Sequence, residues 1–247
     1  YKAAFTHELQ KVFPRFSPDI IHTNHLFLLS ALVRKLFPNI PVVATCHGTD
    51  LRQYNNCPHL RRFVKRYCTK LEKIIALTTD QKKDISHLYG ITPNKIAVIG
   101  GGYDETMFTR VPKSPAGTVQ ILYAGKYNRS KGVIWLLKSL MKINHHDWHL
   151  HMAGSGSGPE YDHCIKLAEK LGPKVTNHGY VSHHMLAELM QKSHVQVLPS
   201  FFEGLPLVLF EGLASGCRII TTRLTGFSEI FGRAKKDTID LIRLPRL

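Results

Sequence analysis

Short β-branched runs alternate along the chain with stretches whose apolar residues recur at helical spacing. Residues 19–23 (Asp-Ile-Ile-His-Thr) read as a strand, 27–37 as a helix and 41–45 (Pro-Val-Val-Ala-Thr) as the next strand. Strands at 73–78 and 95–99 follow, with a helix over 81–89 between them. A second series has strands at 119–124, 148–153, 175–179, 195–199 and 217–221. Its helices fall at 133–143, 159–171, 184–192 and 206–215. Strand and helix in alternation predict parallel sheets covered on both faces. Between the two series, residues 106–118 lose all periodicity and carry Pro112, Pro115 and Gly117, which reads as a linker. The pattern predicts an α/β chain of two Rossmann-like, doubly wound domains in tandem, the first expected at 1–112 and the second at 113–247. In such sheets ligands sit at the carboxyl ends of strands, so the loops that follow strands matter most.

Three of those loops carry chemistry. In Pro199-Ser200-Phe201-Phe202-Glu203-Gly204-Leu205-Pro206, a strand runs into a loop that opens a helix, and Glu211 follows Glu203 by eight residues. Pro206 suits the first helical position, where a missing N–H costs nothing. Gly216 suits the left-handed stop. The helix N-terminus favours a phosphate, and both carboxylates could accept hydrogen bonds from sugar or ribose hydroxyls. The plainer alternative is that Glu203 caps the helix and Glu211 is solvated. In Gly125-Lys126-Tyr127-Asn128-Arg129-Ser130-Lys131-Gly132, a strand ends in a basic loop that could neutralise a diphosphate without a metal; an ordinary solvated loop is the alternative. In Thr45-Cys46-His47-Gly48-Thr49-Asp50, His47 falls just past a buried strand. It could hydrogen-bond a reacting sugar, or serve the backbone as a structural imidazole. The glycine run from Gly154 to Gly158 could line a phosphate site. The pairs His145/His146 and His183/His184, with His22 and His25, read as surface or core histidines, because none has a third ligand at metal spacing.

Composition narrows the partners. Lys and Arg number 33 against 18 Asp and Glu, a formal charge of +15. That suits nucleic acid, an anionic membrane or a phosphate-bearing substrate. With no nucleic-acid-binding signature in the sequence, nucleic acid is not expected. No apolar run has the length of a membrane span, yet 60–73 reads as an amphipathic helix with a cationic face; a helix packed on its own sheet with a solvated basic face is the plainer alternative. The five cysteines form no C-x-x-C pair, which points to free thiols in a reducing cytoplasm. Residue 1 is Tyr, so the chain is expected to begin inside a longer one.

In order along the chain, these segments resemble the retaining glycosyltransferases of family 4, which have the GT-B fold; the resemblance implies two domains facing a cleft, the first incomplete and the second without its last elements. The likeness runs from about Asp19 to Ile230. It is carried by His47-Gly48, by Gly101-Gly102-Tyr103-Asp104 with Phe108, by Gly125-Lys126 with Lys131-Gly132, and by Glu203 with Glu211. The resemblance implies that a nucleotide-sugar donor of UDP or GDP type is the substrate, with no cofactor and no metal. It implies that Lys131 and Lys126 hold the diphosphate beside Gly125. Glu203 would contact the transferred sugar, with the backbone of Gly204 and Leu205, and Glu211 would hold the ribose. His47 would approach the sugar from the other domain, and transfer to an acceptor hydroxyl would retain the anomeric configuration. The acceptor could be a glycan, a lipid or a small molecule, in glycan or cell-envelope biosynthesis. The expected location is cytoplasmic, with peripheral contact at the inner membrane face.

Three departures stand out. Lys126 replaces the usual Arg and loses its bidentate fork. Gly101 replaces an Asn. No glycine precedes Gly48, so the family's early glycine-rich loop has no counterpart. The piece alone is therefore expected to bind donor poorly and turn over little. A non-catalytic basic module for lipid or polyanion is the rival of another class. A sugar-nucleotide epimerase is a third, disfavoured by the paired glutamates and lysines.

Overall fold

The computed structural model describes residues 2–114, 117–144, 147–224, 232 and 238–243. His145, His146, Pro115 and Ile230 lie outside them. The chain forms two compact α/β units that divide between Gly101 and Gly102, earlier than the 112/113 boundary expected from sequence and within the glycine run.

The first unit runs α1 (Lys2–Phe16), β1 (Ile21–Asn24), α2 (Leu28–Leu36), β2 (Val42–Thr45), α3 (Thr49–Asn56), α4 (Pro58–Cys68), β3 (Lys73–Ala76), α5 (Thr79–Tyr89) and β4 (Ile96–Val98). Its four strands are all parallel and pair in the order β1-β2-β3-β4. Val42, Ala44, Ile74 and Ala76 are fully buried, in one core with Ala31, Val64, Ile85 and Tyr89. Each large aliphatic side chain so buried contributes about 1.5–3 kcal/mol. The Thr78 hydroxyl caps α5 by accepting from Gln81 N–H, and Gly90 ends it in the left-handed conformation. Neither α1 nor α3 was expected. The amphipathic stretch at 60–73 stops sooner than expected: α4 ends at Cys68, and Lys73 already opens β3. Among the described residues this sheet advances in one direction, so double winding is not seen in it.

The second unit contains β5 (Val119–Ala124), α6 (Val133–Leu140), β6 (Trp148–Ala153), α7 (Pro159–Leu171), β7 (Val175–Gly179), α8 (His183–Lys192), β8 (Val195–Leu198), α9 (Leu207–Ala214), β9 (Arg218–Thr222) and β10 (Ile239–Ile242). The last strand was not expected. The six strands are parallel in the order β10-β9-β8-β5-β6-β7. Strands added on one side of β5 give way to strands added on the other, which is the doubly wound arrangement. The described part of the expected linker is packed rather than loose. Phe108 is buried. The Lys113 ammonium donates to the carbonyls of Met190 (3.1 Å) and Ser193, and His194 Nε2 meets the Ser114 carbonyl at 2.8 Å.

Candidate functional site

Strand order reverses between β5 and β8, and the crevice at such a point is where open α/β sheets take ligands. A pocket of about 670 Å³ opens at these carboxyl ends. Its wall contains Gly125, Lys126, Lys131, Glu203, Leu205 and Glu211. Gly204 lies between Glu203 and Leu205 without forming part of the wall. A second cavity, of about 520 Å³, lies against α6 between Trp135, Leu140, Trp148 and Ile220. It is apolar along nearly its whole wall, with Arg243 its one charged lining residue.

The loop after β5 is held from within. Asn128 Oδ1 accepts from Lys131 N–H (3.1 Å) and from the Ser130 hydroxyl (2.8 Å), closing a 3-10 turn over Arg129–Lys131. Gly132 follows in the left-handed region, and a Cβ there would lie 2.1 Å from the Pro199 carbonyl oxygen. Phe201 N–H donates to the Ser130 carbonyl at 2.8 Å, so the loops after β5 and β8 are tied to each other. A similar close approach fixes the loop after β6. Gly154 has φ +149°, and a Cβ would stand 1.8 Å from the Gly125 carbonyl oxygen. Gly154 and Ser155 therefore join the pocket wall, as the glycine run suggested.

These contacts bring together residues far apart in sequence. The Lys131 ammonium lies 2.7 Å from both carboxylate oxygens of Glu203. The two side chains are 24% and 11% exposed, so the pair is screened from water on most sides. Glu203 therefore does not cap α9. Pro206 is not the first helical residue either: it occupies the cap position with ψ 83°, and α9 begins at Leu207. Glu211 lies in the second turn of α9, half-buried. Burial pushes its carboxyl above the usual carboxylate range, and the nearby His183 pulls it back down. Tyr180, Val181, His183 and Leu186 also line the pocket. Sequence reading missed this wall and took His183 for a surface or core residue. It became visible only when the β7–α8 loop was placed beside α9.

His47 belongs to the first unit, at the carboxyl end of β2. Its Nε2 is 2.9 Å from Asn24 Oδ1, and its ring lies 4.9 Å from that of His25. Burial and the neighbouring His25 lower its pKa, and Asp50 opposes the shift. The imidazole is thus held neutral near pH 7. What organises this corner is Asp50, to which sequence reading gave no role. It is fully buried and accepts from Leu26 N–H (2.7 Å), from His47 N–H (3.2 Å) and from the Cys46 thiol (3.3 Å). One carboxylate thereby joins the loops after β1 and β2. Among the described residues, no three or more His, Cys, Asp or Glu side chains are grouped as metal ligands.

A family model described as Glycosyl transferases group 1 matches residues 118–241, and one described as Glycosyltransferase Family 4 matches residues 1–106. The chain belongs to this glycosyltransferase family. Similar curated relatives include glycogen synthase of Mycobacterium tuberculosis, 26% identical over 223 residues, covering 86% of this chain and 54% of the relative. The putative teichuronic acid biosynthesis glycosyltransferase TuaC of Bacillus subtilis is 28% identical over 232 residues, covering 87% and 56%. This family member spans about half the length of the curated relatives it matches. Among solved structures, sucrose-phosphate synthase of Thermosynechococcus elongatus superposes with a TM-score of 0.75 at 21% identity, covering 97% of this chain and 64% of that one. Anabaena HepE in complex with UDP-glucose gives 0.74 at 16% identity, covering 96% and 68%. At these identities the likeness establishes the fold, a GT-B glycosyltransferase with two parallel-sheet α/β domains.

Proposed function

We propose that this chain binds and activates the nucleotide-sugar donor of a retaining glycosyltransferase. The sugar would pass from a UDP- or GDP-type donor to an acceptor hydroxyl without a metal. One observation supports this above the others: Lys126, Lys131, Glu203 and Glu211, drawn from two loops and a helix, share one pocket at the switch point of the second sheet. HepE, whose structure was solved with UDP-glucose, has the same fold.

The chemistry follows from the charges. Breaking the bond between sugar and diphosphate places negative charge on the departing phosphate. Lys126, Lys131 and the N-terminal end of α9 supply positive potential there, and fixed charges aimed at developing charge are an effective form of rate enhancement. Glu203 accepts hydrogen bonds from the hydroxyls of the sugar and holds it against the leaving group. Glu211 accepts from the ribose hydroxyls. Attack by the acceptor on the face that the phosphate leaves gives retention. His47, as a neutral imidazole, is proposed to hydrogen-bond the reacting sugar.

Kinetics on the intact protein test the reading. Lys131→Ala and Glu203→Ala should each abolish transfer, and a chelator should leave the parent rate unchanged. Full turnover in both variants refutes it. A non-catalytic module gives no reason for two acids and two lysines to converge on a pocket, and is not favoured.

Contact with an anionic membrane is a separate proposal. On α4, Arg62, Lys65 and Arg66 are exposed, and Lys70 just beyond it is exposed as well. No helix among the described residues is long and apolar enough to cross a membrane. Salt-sensitive sedimentation with anionic vesicles tests surface binding. The five cysteines are free, which supports the proposed reducing, cytoplasmic location.

A further inference from the structure

In the second unit, α9 is seated on its sheet by a polar contact where an apolar one is expected. Gln196 lies in β8, paired with Leu122 of β5 on one side and Ile219 of β9 on the other, and is fully buried. Its side-chain N–H donates to the Val208 carbonyl, in the first turn of α9, at 3.0 Å. Its Oε1 finds no hydrogen-bond partner among the described residues. That oxygen lies against Gly212: a Cβ there would stand 1.7 Å from it and 2.8 Å from the amide carbon. Val208 and Gly212 are four residues apart, so one face of the helix carries both contacts. Two features of this seat are unfavourable in themselves. A buried carbonyl oxygen without a donor has lost its hydration for nothing, and a glycine inside a helix lowers helical propensity. An aliphatic residue opposite an alanine would fill the same space with neither defect. Local rules broken together in a core point to a functional demand. The helix held in this way carries part of the pocket wall, through Leu207, Val208 and Glu211.

We infer that Gln196 is a positioning residue for the transfer reaction, acting through α9 to set the depth and rotation of Glu211. The inference rests on the reading of this pocket as the donor site. Gln196 itself forms no part of the pocket wall, so its influence passes through the helix. Glycine at 212 lets the amide reach the helix backbone, which fixes how close α9 sits to β8. The hydrogen bond to the Val208 carbonyl fixes the roll of the first turn. Glu211 precedes Gly212 directly and stands about 100° from it around the helix axis. A small roll of α9 therefore carries the Glu211 carboxylate along the pocket wall and away from the ribose hydroxyls it is proposed to hold. Hydrogen bonds to a ligand weaken steeply with such misalignment.

Calorimetric titration of the intact protein with UDP, GDP and inorganic pyrophosphate tests the assignment, in the parent and in a Glu211→Ala background. Gln196→Met keeps a side chain of similar size and removes the hydrogen bond. It should weaken whichever nucleotide binds the parent by about tenfold and leave pyrophosphate affinity unchanged. In the Glu211→Ala background it should have no further effect, a coupling read as a double-mutant cycle. Gln196→Ala combined with Gly212→Ala relieves the collision without restoring the hydrogen bond. It should show the same pattern, and it decides the matter if Gln196→Met does not fold. Parent-like nucleotide affinity in these variants, alongside loss in Glu211→Ala, overturns the positioning role and leaves the donor site standing. Equal losses with and without Glu211, or equal losses of nucleotide and pyrophosphate, also overturn it, because they report a general loosening of the unit. Parent-like nucleotide binding by Glu211→Ala, or no nucleotide binding by the parent, removes the reading of the donor site on which the inference rests, and the inference with it.

Discussion

The two sheets hold their functional corners by different means. In the second unit the loops after β5, β6 and β8 lie backbone against backbone, at Gly132 on Pro199 and Gly154 on Gly125, with no room for a side chain. In the first unit one buried carboxylate, Asp50, gathers the loops after β1 and β2 through hydrogen bonds. Steric contact fixes position without charge, so none of Lys126, Lys131, Glu203 and Glu211 is needed to hold the loops, and Lys131 and Glu203 pair with each other. Hydrogen bonding to a buried acid spends that acid on structure, and leaves His47 as the outward-facing group.

The largest expected effect breaks the steric side. Gly154→Ala forces a Cβ into the Gly125 carbonyl at a positive φ, and should destabilise the second unit by roughly 3 kcal/mol. Urea unfolding followed by domain-resolved NMR would show the loss confined to residues after Gly102. Asp50→Ala probes the other side. Stranding the Leu26 and His47 N–H groups should cost about 2 kcal/mol, in the first unit alone. Equal destabilisation of both units by either change would erase the distinction.

A smaller effect is expected for Lys131→Met, about 1–2 kcal/mol, because the partly buried Glu203 carboxylate loses its cation. Adding Glu203→Leu should restore most of that stability, a coupling readable in a double-mutant cycle.

The smallest effect sharpens the contrast on the far face of the second sheet. His151 lies between His178 (3.0 Å) and Gln120 (2.9 Å), and burial followed by His149 lowers its pKa to about 4. The unfolded chain binds that proton near pH 6.5, so it holds more protons than the folded chain between there and about 4. Stability present above pH 6.5 is therefore lost as pH falls through this window. Discounted for partial exposure, the loss is roughly 1 kcal/mol. Thermal melts of His151→Gln should be flatter across it.

Much of this was legible in the sequence because strands in parallel sheets are buried on both faces and read as β-branched runs. β2, with Val42, Ala44 and Thr45 buried, falls within the run the pattern places. α3 was hidden because its buried side chains, Asp50, Leu51 and Tyr54, are interrupted by polar residues and follow a glycine. α1 contains Pro14 and has no buried residue, so neither pattern nor propensity marks it. The lysine and glutamate motifs announced themselves singly, through loops after strands. Their direct contact did not, since Lys131 and Glu203 lie 72 positions apart and meet only when the sheet closes.

The Lys131–Glu203 contact has a consequence for how the pocket fills. A paired cation exerts little long-range pull, so an approaching anion would meet the exposed Lys126 first. Were a diphosphate to take the Lys131 ammonium, as proposed, the same exchange would uncover the two Glu203 oxygens. On that reading, ligand entry and the release of its acidic contact are a single swap of partners.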